Sequence, residues 1–290
     1  MCDSRKPSPV AWHAAGKPGP VLPVWRVTFL LGGGQGQAFG AAGSRSGSRG
    51  MAMIPAAQAG LPCSDVTYKE GSGDMARPQY GHLWALAHAE RAALAEDLAG
   101  LGAEQWRHDT LCGEWDVEQV VAHLTAAASL NQWQWLRSML GARFRPDVHN
   151  QRRLAEHCGS TPAETLDRFR AVITSTTAPS RHTPAYLGEV VVHAQDIRQP
   201  LGIVRTPSVD AMTPVAGFFA RRDFTVASRT RVADLQLRAD DGPFATGTGL
   251  LVTGSTLALV MSMAGRQPYL AELDGPGVPT LRSRLQATPA

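Results

Sequence analysis

Thr183-Pro184-Ala185-Tyr186-Leu187-Gly188-Glu189-Val190-Val191-Val192-His193-Ala194-Gln195-Asp196-Ile197-Arg198 decides the fold, because Glu189 and His193 can act together only if this stretch is helical. In a strand, residues four apart lie about 13 Å from one another. In a helix they stack one turn apart, at about 6 Å. Three consecutive valines favour a strand locally. The Thr-Pro start, the length to Gln199 and the apolar positions Leu187, Val190, Val191, Ala194 and Ile197 favour a buried helix. We read a helix that opens at Thr183 and is closed by Pro200 and Gly202.

Working outward, other helices announce themselves in the same way. Leu83, Leu86, Leu94, Leu98 and Leu101 recur at near-helical spacing through an Ala-rich run and mark a first helix. Asp116 with Gln119 three residues on has the form of a capping box and opens a second helix over 117–139. Thr161-Pro162 opens a third, through Phe169 and Ile173, and 209–226 reads as a fifth. The period then changes to two. Val232, Leu235 and Leu237 suggest a strand, Asp240-Asp241-Gly242-Pro243 a turn, and 244–247 and 250–253 further short strands, before Ser255 caps a helix through Ala264. The expected fold is mainly α: a four-helix bundle over 78–205, followed by a small α+β unit over 206–290. Residues 1–77 are set apart as an unstructured or mis-assigned leader. Within them residues 1–74 hold 13 of the 29 glycines and all three lysines, Lys6, Lys17 and Lys69, which suggests synthesis starting at Met75.

Charge and cysteine usage exclude several classes. Lys and Arg number 28 against 25 Asp and Glu, and the small excess lies in residues 1–74, so the globular part is neutral. A neutral body without a basic stripe argues against a nucleic-acid partner. The apolar run 21–31 is short and broken by Pro23 and Arg26, which argues against a membrane span. Cys2, Cys63, Cys112 and Cys158 form no CxxC pair and point to a reducing, cytoplasmic setting.

A carboxylate and an imidazole on one face of a buried helix need a partner. His123, at the edge of the stripe formed by Val117, Val121 and Leu124, can supply it. Two histidines and one glutamate are three ligands of the kind zinc accepts, with a position left open, which describes a catalytic rather than a structural site. Taken singly, a helical histidine is more often a hydrogen-bonded core residue, and a Glu-xxx-His pair more often a surface pair. Asp196 sits where the helix dipole disfavours a negative charge. It is expected either to accept from a ligand imidazole or from Arg198, orienting the site, or to form an ordinary helix-end ion pair. Cys112 has no cationic neighbour in sequence and reads as a small buried residue. Trp115, Trp133 and Trp135 read as packing residues.

Two segments carry a resemblance. Leu111-Cys112-Gly113-Glu114-Trp115-Asp116-Val117-Glu118-Gln119-Val120-Val121-Ala122-His123-Leu124, and Gly188 to Arg198 with Leu201-Gly202 after it, resemble the two metal motifs of the mycothiol-dependent maleylpyruvate isomerase-like family. The resemblance implies a DinB-like four-helix bundle and a C-terminal domain similar to sterol carrier proteins, with His123, Glu189 and His193 as ligands. It further implies a divalent metal, zinc foremost, with mycothiol as thiol cosubstrate and a small-molecule electrophile that is isomerised or thiolated. An arginine of the C-terminal domain would help to bind an anionic substrate, and Arg266 is the candidate here. A monomer or small homo-oligomer is expected. The alternatives are a non-catalytic zinc-binding or sensor protein, closed by a fourth ligand such as Cys112, and an apolar-ligand-binding protein.

Overall fold

The computed structural model describes residues 76–287, residues 114 and 144 excepted, so nearly all of the segment read as leader lies outside the described residues. Ala76–Ala99 (α1) is the Ala- and Leu-rich helix, with Ala87, Leu94 and Leu98 fully buried. Val117–Ser129 (α2) starts at the expected capping box: Asp116 accepts from Gln119 N, and Gln119 accepts from Asp116 N. The helix expected to run to 139 stops ten residues earlier. Asn131 and Gln134 form a second capping box that opens Gln132–Gly141 (α3). An Asn side chain competing for backbone N–H groups is a sufficient cause of the break.

Pro146–His157 (α4) was not legible, because its polar sequence carries no apolar stripe. Pro162–Arg170 (α5) begins at Thr161, as expected, and ends three residues before Ile173. Thr183–Arg198 (α6) is the deciding helix. α1 packs on α5 and α6, and α2 packs on the same two, which makes these four the bundle; α4 lies against α2.

The valines of α6 are helical because of where they are buried. Val190, Ala194 and Ile197 face the bundle core with Leu94, Leu98, Val121 and Phe169. Leu187, Val191 and Val192 face a second core, built with residues 211–285. Each fully buried Val or Leu contributes roughly 1.5–3 kcal/mol, which outweighs helix-propensity penalties of at most about 0.7 kcal/mol per valine. Gly188 lets the next helix approach: a Cβ there would lie 3.1 Å from Val215 and 3.2 Å from Phe219.

That next helix, Val209–Arg221 (α7), is capped by Ser208 and turns extended at Arg222, short of the expected end at 226. Ser228–Arg231 (α8) follows. The strands are Leu235–Ala239 (β1), Ala245–Thr246 (β2) and Leu250–Gly254 (β3). Their order is β2-β1-β3, with β2 antiparallel to β1 and β3 parallel to it. The chain passes from β2 to β3 against the start of β1. A Cβ on Gly247 or Gly249 would lie 2.2 Å from the carbonyl oxygen of Leu235 or Asp234, and both glycines have positive φ. Only glycine fits there. Thr256–Met263 (α9) is capped by Ser255 as expected. A 3₁₀ stretch, Gln267–Glu272, and Val278–Ala287 (α10) complete the unit. Among the described residues no helix is long and apolar enough to cross a membrane.

Candidate metal centre

His123 comes from the second turn of α2, whose phase the capping box sets, and Glu189 and His193 come from one face of α6. The structure brings the three together: one ligand atom from each lies within 4.8 Å of the other two. His123 Nε2 stands 3.1 Å from Glu189 Oε1, and the two imidazole rings meet edge to face with centroids 5.1 Å apart. Donors on one tetrahedral ion with bonds near 2.1 Å stand about 3.4 Å apart, so the observed spacing suits a single cation. The chemistry of the set, two imidazoles and a carboxylate, suits a borderline divalent metal. His123 and Glu189 keep 14% and 18% of their side-chain surface exposed while His193 has none. The centre therefore opens on one side and is sealed on the other.

Burial alone would raise the Glu189 carboxyl, but the hydrogen bond from His123 and the charges of His123, His193 and Arg91 outweigh it and hold the carboxyl below its ordinary value. Burial, with the charges of His123 and Arg266, lowers His193 against the upward pull of Asp196, which favours the neutral ring that a metal requires.

Asp196, fully buried, accepts from His193 Nδ1 at 3.1 Å. It also accepts from Arg266, whose Nε donates to Oδ1 at 2.8 Å and whose Nη2 donates to Oδ2 at 2.6 Å. Burial pushes the Asp196 carboxyl upward, and the Arg266 guanidinium and His193 outweigh it, leaving it below the usual range. Arg198, the other expected partner, turns away and donates from Nε to Asp97 at 2.8 Å. Arg266, the candidate that the resemblance offers for helping to bind an anionic substrate, reaches the centre through Asp196, and its Nη1 donates to Ala264 O.

The loop before α2 forms the wall. Thr110 Oγ1 donates to Trp115 O and accepts from Cys112 N, Gly113 turns at φ 67, and Leu111 N donates to Asp196 O. This folding lays the Trp115 ring 5.0 Å from that of His123. It also leaves Cys112 half-buried, with its sulfur grouped with His193 and Asp196 rather than with His123 and Glu189. The cation missing beside Cys112 in sequence is supplied in space by Arg266, which is held on Asp196 of the same group. Trp133 is 79% exposed and is not a packing residue.

Two neighbours escaped the sequence analysis. Arg91, on the buried stripe of α1 with Ala87, Leu94 and Leu98, donates to Ser175 O at 2.7 Å and lends its charge to Glu189. Tyr186, one turn before Glu189, hydrogen-bonds Ser180 and stacks on Trp84. An arginine interrupting an apolar stripe was the available signal for the first. The i−3 spacing from Glu189 was the signal for the second.

Residues 87–185 match the family model described as the mycothiol maleylpyruvate isomerase N-terminal domain. The match includes His123 and ends before Glu189. The crystal structure of the mycothiol-dependent maleylpyruvate isomerase is similar at 16% identity and a TM-score of 0.49, covering 68% of this chain and 92% of that one. A histidine-to-alanine variant of it is similar at 17% identity and a TM-score of 0.48, with the same coverage. No curated protein matches.

Proposed function

We propose, on the premise that residues 87–185 belong to the mycothiol maleylpyruvate isomerase N-terminal domain family, that this chain is a metal-dependent enzyme of small-molecule thiol chemistry. It would use mycothiol to isomerise an electrophilic small molecule or to transfer the thiol to it. The observation that carries this proposal is the convergence of His123, Glu189 and His193 from two helices onto one point, with their ligand atoms within 4.8 Å of one another. In this proposal residues 78–205 form the metal-binding unit and 206–290 an α+β unit docked on α6, in a cytoplasmic protein. Zinc is the favoured ion for such a donor set.

When bound, the ion supplies a Lewis acid that lowers the pKa of a thiol, so that a thiolate is available near neutral pH. The chain's own residues do the rest. Asp196 fixes the His193 ring by accepting from Nδ1, which turns Nε2 to the centre. A carboxylate can only accept, so the His123–Glu189 contact places a proton on Nε2 of His123, and an ion held by this pair would stand where that proton does. Trp115 lies beside His123, its ring 5.0 Å away, and the His193 side chain is fully buried.

A non-catalytic, closed site would need a fourth protein ligand. Cys112 was the candidate, and its sulfur falls outside the three-donor group, which favours the catalytic form.

The test is the metal content of the purified wild-type chain beside His123→Ala and Glu189→Ala, with helicity followed by circular dichroism. We expect one divalent ion per chain in the wild type, and its loss from both variants without loss of helix. A wild type free of metal, or a variant that keeps its full complement, would defeat the proposal.

A further inference from the structure

A second ligand group overlaps the first. Cys112 Sγ, a ring nitrogen of His193 and a carboxylate oxygen of Asp196 also lie within 4.8 Å of one another. His193 is shared by both groups: its Nδ1 points to Asp196, and its other nitrogen lies on the opposite side of the ring. A thiol, an imidazole and a carboxylate form a soft donor set that zinc and related ions bind well. Cys112 is half-buried, so the group is not sealed from solvent. By donor chemistry alone, this chain carries ligands for two ions bridged by His193.

Its occupant is Arg266. The guanidinium takes both carboxylate oxygens of Asp196, at 2.8 and 2.6 Å, and so sits against the group to which Cys112 belongs. It thus satisfies the carboxylate of the group with a fixed positive charge that cannot be titrated away near neutral pH. We infer that Arg266 is a built-in cation that keeps the Cys112–His193–Asp196 group closed to metal and so holds the centre to a single ion. This inference rests on the proposed ion at His123, Glu189 and His193, and assigns Arg266 a positioning and excluding role there.

The chemistry balances without a further reactant. With Arg266 replaced by a neutral side chain, a divalent ion bound by Cys112 Sγ, His193 Nδ1 and Asp196 would release the thiol proton and the Nδ1 proton to solvent. Removing a unit charge from the immediate surroundings of a divalent ion is expected to raise its affinity for the group by about 100-fold or more.

The experiment is titration of the metal-free chain with Co²⁺, read by stoichiometry and by the near-ultraviolet charge-transfer band that only thiolate ligation produces. The wild type is expected to bind one Co²⁺ without that band. Arg266→Gln is expected to bind two and to show it, and Arg266→Gln combined with Cys112→Ser to lose it. Arg266→Lys retains a cation and should behave as the wild type, and Arg266→Met, which fills the site without the charge, should bind two Co²⁺ and show the band if the glutamine variant does not fold. A single ion without the band in a folded Arg266→Gln overturns the inference, as does a second ion or the band in the wild type or in Arg266→Lys. A wild type that binds no Co²⁺ defeats the proposed function instead, so the two failures are distinguishable.

Discussion

Asp196 is the residue on which α6 and the segment after α9 meet. It accepts from His193 within its own helix and from Arg266, 70 residues away. A carboxylate on the far nitrogen of a ligand imidazole fixes the tautomer and increases its basicity, and loss of such a partner typically weakens metal binding about 10- to 100-fold. Asp196→Asn preserves size and can still accept one hydrogen bond, but it removes the charge that balances Arg266. We expect its zinc affinity, measured by competition with a chromophoric chelator, to fall within that range while the helical spectrum is retained. Wild-type affinity in this variant would remove Asp196 from any part in holding His193. Of this arrangement, the i to i+3 spacing from His193 to Asp196 could be read from the sequence. The partnership with Arg266 could not, because it depends on how the unit that follows α7 docks against α6.

Helix starts marked by a capping residue were legible, and helix ends cut short within a continuing apolar run were not. The Asp116–Gln119 box, Thr161-Pro162 and Ser255 all open helices where expected. The overruns at 130 and 222 have a shared cause: apolar residues continue past both points, but their backbones are diverted. In one case the Asn131 cap intervenes; in the other, Ser228 and Asp223 take up the backbone groups of Arg222 and Thr230. The central question of the deciding segment was settled by burial on two sides, which overrode the strand preference of three valines. The α2 cap has a consequence at this scale. Asp116→Ala removes one N–H acceptor from the first turn, at a cost of about 1 kcal/mol, and His123 lies a further turn along, in the firmly packed part of α2. The expected outcome is a lowered urea midpoint with the metal still bound. A midpoint equal to that of the wild type would show that the cap contributes nothing to the stability of α2.

Across the described residues, the four shifted imidazoles, two buried and two half-buried, share a sign. His149, His157, His182 and His193 are all lowered from 6.5, first by burial and then by neighbouring arginines among other charges, with Asp196 opposing the shift at His193 and Glu156 opposing it at His149 and His157. An unfolded chain takes up these protons as pH falls through about 6.5, and the folded chain takes them up only at lower pH. Over that window the unfolded state binds more protons, so folding stability is fully present above about pH 6.5 and declines below it. Glu189, Asp196 and Asp223, held below their ordinary values, act in the same direction at more acid pH, their contribution being lost as pH falls through their folded values. Glu90, Asp116 and Glu272 are raised by burial and oppose the trend over the carboxylate range, which softens the slope without reversing it between pH 7 and 6. The thermal midpoint of the metal-free chain, followed by far-ultraviolet circular dichroism, is therefore expected to fall steadily as pH is lowered from 7 towards 5.5. Metal should make the fall steeper, because the bound ion requires neutral imidazoles at His123 and His193 and is released when they protonate. A midpoint that stays level or rises over this interval would mean that the histidines are not held neutral by the fold, and with that the physical basis for a pre-formed ligand set would be gone.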